Sequence, residues 1–369
     1  MNYEGRKPLL QKVEELRPGR RLVCFLNFDR QSEPALPGLS THFQADVKEA
    51  LFRVLKESDS LEGIDLLLYT RGGDTNAVWP LVSLVREFDP DFEVLVPFRC
   101  HSSGTLVVLG ANRVILTNLS ELSPIDPSTG NQFNPRDPAN PTSGMAISVE
   151  DVRAYRSFIL EQLDGTREDE TESSSLPVQA VPLLQRLTTE VHPLALGNVN
   201  RVLQQIKQLA VNLLNLHPID GEGVQQIVKA LTTQFFSHLH MINRHEAKEI
   251  LGDRVEFASR ELSDALDHVL RAYEDQFNLR RKFYLANLLN GNTEFPFRFV
   301  GAVLESTVRS YLFETAGVVR QVAKPPANVQ IQVPVGQPIP LVPGMPRETQ
   351  VEVKSQGWVH NKQPQGVTK

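Results

Sequence analysis

Apolar residues in the first third of the chain form short continuous runs separated by amphipathic segments. The runs Arg21–Phe28, Ile64–Tyr69, Val94–Pro97 and Arg113–Leu116 are too short for buried helices. Such runs are typical of strands that are buried on both faces. The segments between them carry apolar residues every three or four positions, which predicts helices. The alternation predicts an α/β fold with a largely parallel sheet covered by helices.

Polar residues and glycines at the ends of the runs predict where the helices begin. Ser40 or Thr41 is expected to cap a helix that carries Phe43, Val47 and Leu51 on one face. Asp74 or Thr75 is expected to cap a second helix over Ala77–Phe88, and a third, buried helix is predicted over Leu106–Ala111. A shorter helix is predicted over Pro8–Leu16.

The rest of the chain is mainly helical in pattern. The segment Glu121–Gly144 is rich in Pro, Asn, Ser and Asp and is predicted to be a loop, and Ser148 with Asp151 has the form of a capping box for a helix to about Leu163. The acidic segment Asp164–Ser175 is expected to be an exposed loop. Further helices are predicted over Val199–Leu216, Gly223–Phe236, Leu262–Leu289 and Ser306–Thr315, with a strand over Phe297–Leu304.

The prolines crowded into Lys324–Pro340 predict an extended or disordered tail. We therefore expect a main domain over residues 1–260, a helical extension over 261–322 and a Pro-rich tail over 323–369.

Composition narrows the classes of function. The chain has 369 residues, a formal net charge of −6 and a pI near 5.9, with no basic stripe that would suit a nucleic acid. No apolar stretch approaches the roughly twenty residues that span a bilayer, and the first residues lack the apolar core of a signal peptide, so a cytoplasmic protein is expected. Cys24 and Cys100 lie in apolar contexts and are predicted to be buried thiols.

Candidate chemistry lies at the ends of two consecutive strands. Gly72 and Gly73 follow the second strand, and the run Ser102-Ser103-Gly104 precedes the buried helix after the third. Backbone N–H donors beside a hydroxyl at a helix N-terminus are what acyl transfer requires: an oxyanion hole and a nucleophile. A catalytic thiol at Cys100 is the alternative, and a packed core cysteine is favoured over it.

The motifs resemble those of the serine dehydrogenase proteinase family. That family belongs to the Clp protease/crotonase fold and is related to signal peptide peptidase A. The resemblance rests on Thr70-Arg71-Gly72-Gly73-Asp74, Val96-Pro97, Ser102-Ser103-Gly104-Thr105, Ser123-Pro124-Ile125-Asp126-Pro127, His192-Pro193-Leu194 and Glu246-Ala247-Lys248-Glu249. Arg71 stands where the family usually has Pro, and Ser103 where it usually has Ala, which leaves two adjacent serines as candidate nucleophiles.

The resemblance implies stacked β-β-α and βαβ units and a set of site residues. Ser102 is the expected nucleophile, with Ser103 as the alternative. Gly72, Gly73, Ser103 and Gly104 are expected to form the oxyanion and substrate-binding loops. His192 is expected to mark the start of a helix.

The general base is less defined. Related enzymes use either a lysine or a His–Asp pair, and no lysine occurs between Lys56 and Lys207. We therefore expect His238 as the base and Asp126 as the acid that orients it. His240, Lys207 and Lys229 remain alternatives, and His101 is expected to line the site.

The predicted function is that of a serine peptidase that cleaves peptides or unfolded proteins through an acyl-enzyme on Ser102. The fold resemblance implies a homo-oligomer. No cofactor or metal is expected, since the spacing of His238, His240 and His245 is a weak pattern for zinc. The alternatives are a catalytically incomplete assembly or scaffolding protein, and an acyl-CoA enzyme of the crotonase type.

Overall fold

The computed structural model describes residues 1–29, 32–33, 43–57, 63–125, 128–137, 140–164, 180–235, 237, 239–323 and 346–361. The chain forms two compact units. Unit 1 consists of Met1–Ser120 together with Asp253–Lys369, and unit 2 consists of Glu121–Gly252. Unit 2 is therefore an insertion between two segments of unit 1.

The helices of the described residues have the following bounds. They are α1 (Tyr3–Leu16), α2 (Val47–Lys56), α3 (Val78–Phe88), α4 (Ser103–Gly110), α5 (Val149–Asp164), α6 (Ala180–Glu190), α7 (Pro193–Leu214), α8 (Gly221–Lys229), α9 (Arg244–Leu251), α10 (Arg260–Phe277) and α11 (Leu285–Leu289). One 3-10 turn, Thr75–Ala77, precedes α3.

The strands of the described residues have the bounds given next. They are β1 (Arg21–Asn27), β2 (Ser32–Glu33), β3 (Ile64–Tyr69), β4 (Phe92–Val96), β5 (Arg99–Cys100), β6 (Arg113–Leu116), β7 (Glu121–Leu122), β8 (Ser128–Thr129), β9 (Arg136–Asp137), β10 (Asn140–Gly144), β11 (Ile147–Ser148), β12 (Ile242–Asn243), β13 (Val255–Phe257), β14 (Phe283–Tyr284), β15 (Glu294–Glu305), β16 (Ser310–Ala323) and β17 (Arg347–His360).

An eight-stranded sheet in the order β13-β6-β4-β3-β1-β15-β16-β17 forms the centre of unit 1. The five strands from β13 to β1 are parallel, and β15, β16 and β17 add to β1 as an antiparallel extension. Every residue of β1, β3 and β4 is buried. The predicted α/β class with a largely parallel sheet is therefore confirmed.

Helices α1 and α10 pack against one face of this sheet. Leu10 and Val13 of α1 and Leu266 of α10 join a buried cluster with Cys24 and Leu26, which point to the same face of β1 because strand side chains alternate. Arg6 of α1 is also fully buried. Its guanidinium makes two hydrogen bonds, of 2.8 and 2.7 Å, to the carboxylate of Glu305 at the end of β15.

The structure corrects several sequence-based boundaries. Helix α1 begins at Tyr3, with Pro8 inside it, and Asn2 caps it. Helix α2 begins only at Val47, while Ser40 and Thr41 lie outside the described residues. Phe43, which was placed on a helix face, instead forms a parallel bridge with Gly73.

The predicted helix over Ser306–Thr315 is wrong, because residues from Ser310 form strand β16. Its run of aromatic and β-branched residues pairs with β15 on one side and β17 on the other. The predicted helical extension over 261–322 is thus helical in α10 and α11 and then changes to strands. The predicted long helix ends at Phe277, where Asn278 adopts a left-handed conformation (φ 52°).

The tail prediction concerned residues 323–369. Residues 324–345 and 362–369 lie outside the described residues. Between them Arg347–His360 forms β17 on the edge of the main sheet.

Unit 2 contains helices α5 to α9 and three short antiparallel strand pairs, β7–β12, β8–β11 and β9–β10. The segment Glu121–Gly144, predicted to be a loop, therefore contains strands. Helix α5 begins as predicted, with the Ser148 hydroxyl accepting the N–H of Glu150 at 3.1 Å. The predicted acidic loop after Asp164 lies outside the described residues. No described helix is both long and apolar enough to cross a membrane.

Candidate active site

Two loops at the carboxyl ends of β3 and β4 run side by side in unit 1. Thr70 follows β3 and forms a parallel bridge with Cys100. The N–H of Thr70 donates to the carbonyl of Arg99 at 2.9 Å, and the N–H of His101 donates to the carbonyl of Thr70 at 3.0 Å. These bonds set the segment that contains the glycine pair against the segment that contains the two serines.

Ser102 occupies the sharp turn between β5 and α4. Its φ of 50° and ψ of −109° lie where residues other than glycine are rarely found. Such conformations cost of order 1–3 kcal/mol and cluster at functional sites. The helix that follows is buried from Ser103 to Gly110. A serine on a strained strand-to-helix turn is also how hydrolases of other folds present a nucleophile.

The glycine pair allows the two loops to approach closely. A methyl group on Gly72 would lie 2.7 Å from Cβ and 3.3 Å from Oγ of Ser102. A methyl group on Gly73 would lie 2.4 Å from the carbonyl oxygen of Phe43. Both positions therefore require glycine, the first because of the serine and the second because of the neighbouring backbone.

Hydrogen bonds separate the predicted oxyanion residues into two groups. The N–H of Gly72 donates to Oγ1 of Thr70 at 2.9 Å, and the N–H of Gly104 donates to the carbonyl of His101 at 2.8 Å. The N–H groups of Gly73 and Ser103 have no acceptor in the part of the chain that the structure describes. Of these four residues, Gly73 and Ser103 thus have N–H groups without a described acceptor, Gly73 at an exposed position and Ser103 at a buried one, while Gly72 and Gly104 serve as close-packed spacers.

The direction of the Gly73 N–H is fixed by its own peptide plane. The carbonyl of Gly72 accepts the N–H of Phe43 at 3.1 Å. Because a trans peptide holds its C=O and N–H in opposite directions, the Gly73 N–H points away from Phe43. The donor is therefore held in place before any ligand arrives, as an oxyanion hole requires.

Ser103, the alternative nucleophile, is fully buried. Its hydroxyl donates to the carbonyl of Gly73 at 2.9 Å. Ser103 thus joins the start of α4 to the glycine loop by its side chain, while its backbone N–H makes no hydrogen bond to a described residue.

The cysteine beside the site is also enclosed. Cys100 has no exposed surface, and burial raises the pKa of its thiol well above its usual range. Cys24 is likewise buried with a raised thiol pKa, for which burial is the main cause. Neither has the lowered pKa and partial exposure of a reactive thiol.

The expected base and orienting acid, His238 and Asp126, lie outside the described residues. The alternative His240 lies in unit 2, where its Nε2 is 3.1 Å from Oε1 of Glu246 and its ring stacks on Phe235 at 4.4 Å. His240 thus has the carboxylate partner that a general base needs for its orientation. His192 caps α7 through its Nδ1, which accepts the N–H of Leu194 at 3.1 Å, as expected.

The lysine alternatives line one groove of unit 2. Lys207 of α7 and Lys229 of α8 border a groove of about 370 Å³ together with Val211 and Val228. Partial burial and the nearby charge of Arg153 lower the pKa of Lys207. Among the described residues, no group of three or more His, Cys, Asp or Glu is arranged to hold a metal ion.

Sequence reasoning gave no role at the site to Thr70 or Phe43, and it did not find the pairing of Asp29 with two arginines near the site. Thr70 is fully buried and holds the Gly72 N–H. A hydroxyl residue between an apolar strand and a glycine pair was the available signal for it. Phe43 gave no such signal, because its bridge to Gly73 joins residues far apart in sequence.

Known proteins of similar sequence offer no assigned activity. No protein-family model matches the chain. An uncharacterized protein of Methanocaldococcus jannaschii is 22% identical over 244 residues, which cover 65% of this chain and 71% of that protein. A second uncharacterized protein of the same organism is 25% identical over 134 residues, or 35% of this chain and 45% of that protein.

Similar solved structures include a protease and crotonase-type enzymes. A membrane-bound stomatin-specific protease in complex with a substrate peptide is 18% identical, with a TM-score of 0.25, over 32% of this chain and 52% of the protease. A probable enoyl-CoA hydratase/isomerase from Mycobacterium abscessus is 10% identical, with a TM-score of 0.30, over 70% of this chain and 72% of that enzyme. Similarity of this size supports no conclusion about activity. The chain covers about half of the length of the stomatin-specific protease.

Proposed function

We propose that this chain is a serine peptidase with a Clp protease/crotonase type of core, which cleaves peptides or unfolded proteins through an acyl-enzyme on Ser102. The observation that carries the proposal is the backbone of Ser102, held at φ 50° on a buried helix start. The available N–H groups of Gly73 and Ser103 on either side of it support the same chemistry.

In the proposed reaction Oγ of Ser102 attacks the scissile carbonyl carbon while a general base takes its proton. The N–H groups of Gly73 and Ser103 stabilise the negative charge that develops on the carbonyl oxygen. The base then gives the proton to the leaving amine, and the same base activates the water that hydrolyses the acyl-enzyme. His238, oriented by Asp126, is our proposed base.

Labelling by a fluorophosphonate tests the nucleophile. We expect the wild type to be labelled and Ser102→Ala to lose all labelling. Ser103→Ala, the matched control one residue away, should still be labelled, but at a reduced rate because the hydrogen bond from the Ser103 hydroxyl to Gly73 is lost. Labelling lost in Ser103→Ala and retained in Ser102→Ala would reverse the assignment. A folded wild type without any labelling would instead favour the scaffolding alternative.

The base is tested by the labelling rate of three further variants. His238→Ala should slow labelling by a factor of about 10² or more, since a general base typically contributes that much. His240→Ala is the comparison, because His240 has its own carboxylate partner in Glu246. A large loss in His240→Ala with little change in His238→Ala would move the base to His240, and a loss confined to Lys207→Met would move it to the lysine.

We also propose that the chain acts as a homo-oligomer. Several large apolar side chains of unit 2 are more than half exposed in the single chain, among them Phe158, Leu194 and Leu239. Light scattering during size-exclusion chromatography should give a mass that is a multiple of 41.4 kDa. A single-chain mass at micromolar concentration would reject this part of the proposal.

A further inference from the structure

Three arginines lie at the edge of the sheet where Ser102 is found. Arg71 follows β3, Arg99 lies in β5, and Arg280 lies beyond the end of α10, with its guanidinium 5.5 Å from the ring centre of Phe98. Because β1, β3 and β4 are parallel, their carboxyl ends meet at this edge. Three guanidinium groups therefore lie at the edge of the sheet that carries the proposed nucleophile, in a chain whose net charge is negative.

The three arginines differ in how closely they pair with described acidic groups. Arg280 has its own partner, with its Nε 3.2 Å from Oε2 of Glu274. Asp29, whose side chain is almost fully buried, accepts a hydrogen bond from Nη1 of Arg99. Arg71 reaches the same Asp29 oxygen only at 4.0 Å, the limit of an ion pair. Asp29 thus contacts two guanidinium groups, and Arg71 is the more distant of them.

The Arg71 side chain is also open to a ligand. It is 40% exposed, and Asp29 is its one ion-pair partner among the described residues. A guanidinium carries five N–H donors in a planar fork that suits a carboxylate. Arg71 therefore retains donors that face solvent next to the site.

The position of Arg71 in the loop places it within reach of a bound substrate. It directly precedes Gly72, where a methyl group would lie only 2.7 Å from Cβ of Ser102. It is two residues before Gly73, whose N–H is the proposed oxyanion donor. An extended peptide advances by roughly 3.3 Å per residue. A carboxylate one or two residues from the scissile bond would thus lie within the length of an arginine side chain.

We propose that Arg71 forms a subsite for a carboxylate of the substrate close to the scissile bond. The carboxylate belongs to an Asp or Glu side chain or to the C-terminus of the peptide. This inference rests on the proposed peptidase function, since it assigns the substrate class of that same site. Arg71 is then a specificity-determining residue that selects acidic peptides.

Matched peptides test the subsite by turnover. Fluorogenic octapeptides carry one Glu at successive positions, each with a Gln counterpart, and each is made with a free and with an amidated C-terminus. We expect kcat/KM of the wild type to favour the carboxylate over its neutral counterpart by about tenfold at one position, or at the free C-terminus. In Arg71→Gln the ratio should fall to about one, and added salt should lower it in the wild type.

Arg113→Gln is the matched control. Arg113 is an arginine whose side chain is 61% exposed and which has one long ion pair, 3.8 Å to Glu256, but it begins β6 and so lies at the opposite edge of the parallel strands. The carboxylate preference should persist in Arg113→Gln. Loss of the preference in both variants would indicate a general effect of charge and overturn the subsite.

A binding measurement separates failure of the subsite from failure of the peptidase function. Fluorescence anisotropy of the same peptides, labelled with fluorescein, is measured on Ser102→Ala and on Ser102→Ala/Arg71→Gln. If fluorophosphonate labelling excludes Ser102 as nucleophile, a carboxylate preference in binding that disappears with Arg71 would still support the subsite. Equal binding or turnover of Glu and Gln peptides, or a preference that survives Arg71→Gln, would overturn it.

Discussion

Ser102 combines a reactive side chain with a backbone that its residue type disfavours. Glycine adopts the region around φ 50° and ψ −109° with much less strain than alanine or serine. We therefore predict that Ser102→Gly is more stable than Ser102→Ala by about 1 kcal/mol, although neither variant has a nucleophile. Urea denaturation midpoints at equal m-values measure the difference. An alanine variant of equal or higher stability would contradict the strain at this residue.

Thr70 is the residue that we expect to position the oxyanion loop. Thr70→Val keeps the shape of the side chain but removes the acceptor of the Gly72 N–H, which leaves a buried donor unpaired at a cost of about 1–3 kcal/mol. The loop that holds Gly73 should shift, and the rate of fluorophosphonate labelling should fall between about 10- and 100-fold.

Thr70→Ser is the control for that prediction. It keeps the hydroxyl and loses only the methyl group that packs against Gly104. We expect it to retain most of the labelling rate. Equal losses in the serine and valine variants would show that the methyl contact, not the hydrogen bond, is what matters.

At the scale of single residues, the sequence indicated the glycine pair and the serine turn. Glycines that follow a strand and serines that precede a helix are local patterns that can be recognised without the structure. The sequence did not separate the two serines. The burial of Ser103 and its bond to Gly73 depend on the close approach of two loops about thirty residues apart in the chain. The long ion pair between Arg71 and Asp29 could not be predicted for the same reason, because Asp29 follows a different strand.

Helices α4 and α7 contain glycines with opposite surroundings. A methyl group on Gly104 of α4 would lie 2.6 Å from Cγ2 of Thr70 and 2.9 Å from Sγ of Cys100, whereas one on Gly197 of α7 would have no atom within 4 Å. Gly104→Ala should destabilise by about 1–3 kcal/mol through overpacking. Gly197→Ala should stabilise by about 0.5–1 kcal/mol, because alanine loses less backbone entropy in a helix.

Denaturant midpoints of the two glycine variants measure these effects, and labelling adds a second readout. Gly104→Ala should also reduce labelling, since it displaces the start of the helix that carries Ser103. A Gly104→Ala variant as stable and as reactive as the wild type would show that α4 has more room than the contacts indicate.

The sequence predicted the bounds of an element well where that element is a continuous apolar run. Strands β1, β3 and β6 agree with prediction to within one residue, because short apolar runs bounded by turn residues are typical of buried strands. Strand β16 was misassigned because its apolar positions also fit a helical spacing. What determines its conformation is pairing on both sides, with β15 and β17, and that information is not local.

At the scale of the whole molecule, a buried ion pair joins the beginning of the chain to its last third. Glu305 accepts hydrogen bonds from Arg6, from the Tyr273 hydroxyl at 2.8 Å and from the Ser310 hydroxyl at 2.8 Å. Glu305→Gln would leave the Arg6 guanidinium buried without a counter-charge. We predict a loss of about 3–5 kcal/mol in the free energy of unfolding.

The control for the ion pair is Glu4→Gln, which removes an equal charge from α1, the helix that carries Arg6. Glu4 pairs with Lys7 at 2.9 Å, but its side chain is 63% exposed. Its loss should change stability by no more than about 0.5 kcal/mol. Adding Arg6→Met to Glu305→Gln should recover part of the loss, and a double variant less stable than Glu305→Gln alone would contradict this account.

The arrangement of unit 1 around an insertion was beyond sequence reasoning. Val114 of β6 and Val255 of β13 are register partners, although all of unit 2 lies between them in the chain. Local patterns identify strands, but they do not say which strands are neighbours. The parallel class followed from alternation, whereas the order of the sheet depended on pairings between distant segments.

The pairing of Arg6 with Glu305 also affects the order of events during synthesis. The two residues are 299 positions apart. At roughly 5–20 residues per second, a ribosome needs about 15–60 s to reach Glu305 after Arg6 has been made. Arg6 of α1 is therefore made well before Glu305, and all of unit 2 is synthesised between them. The Arg6 guanidinium thus has no carboxylate of Glu305 to pair with until the strand that ends at Glu305 has been made, and this ion pair is a late event in synthesis.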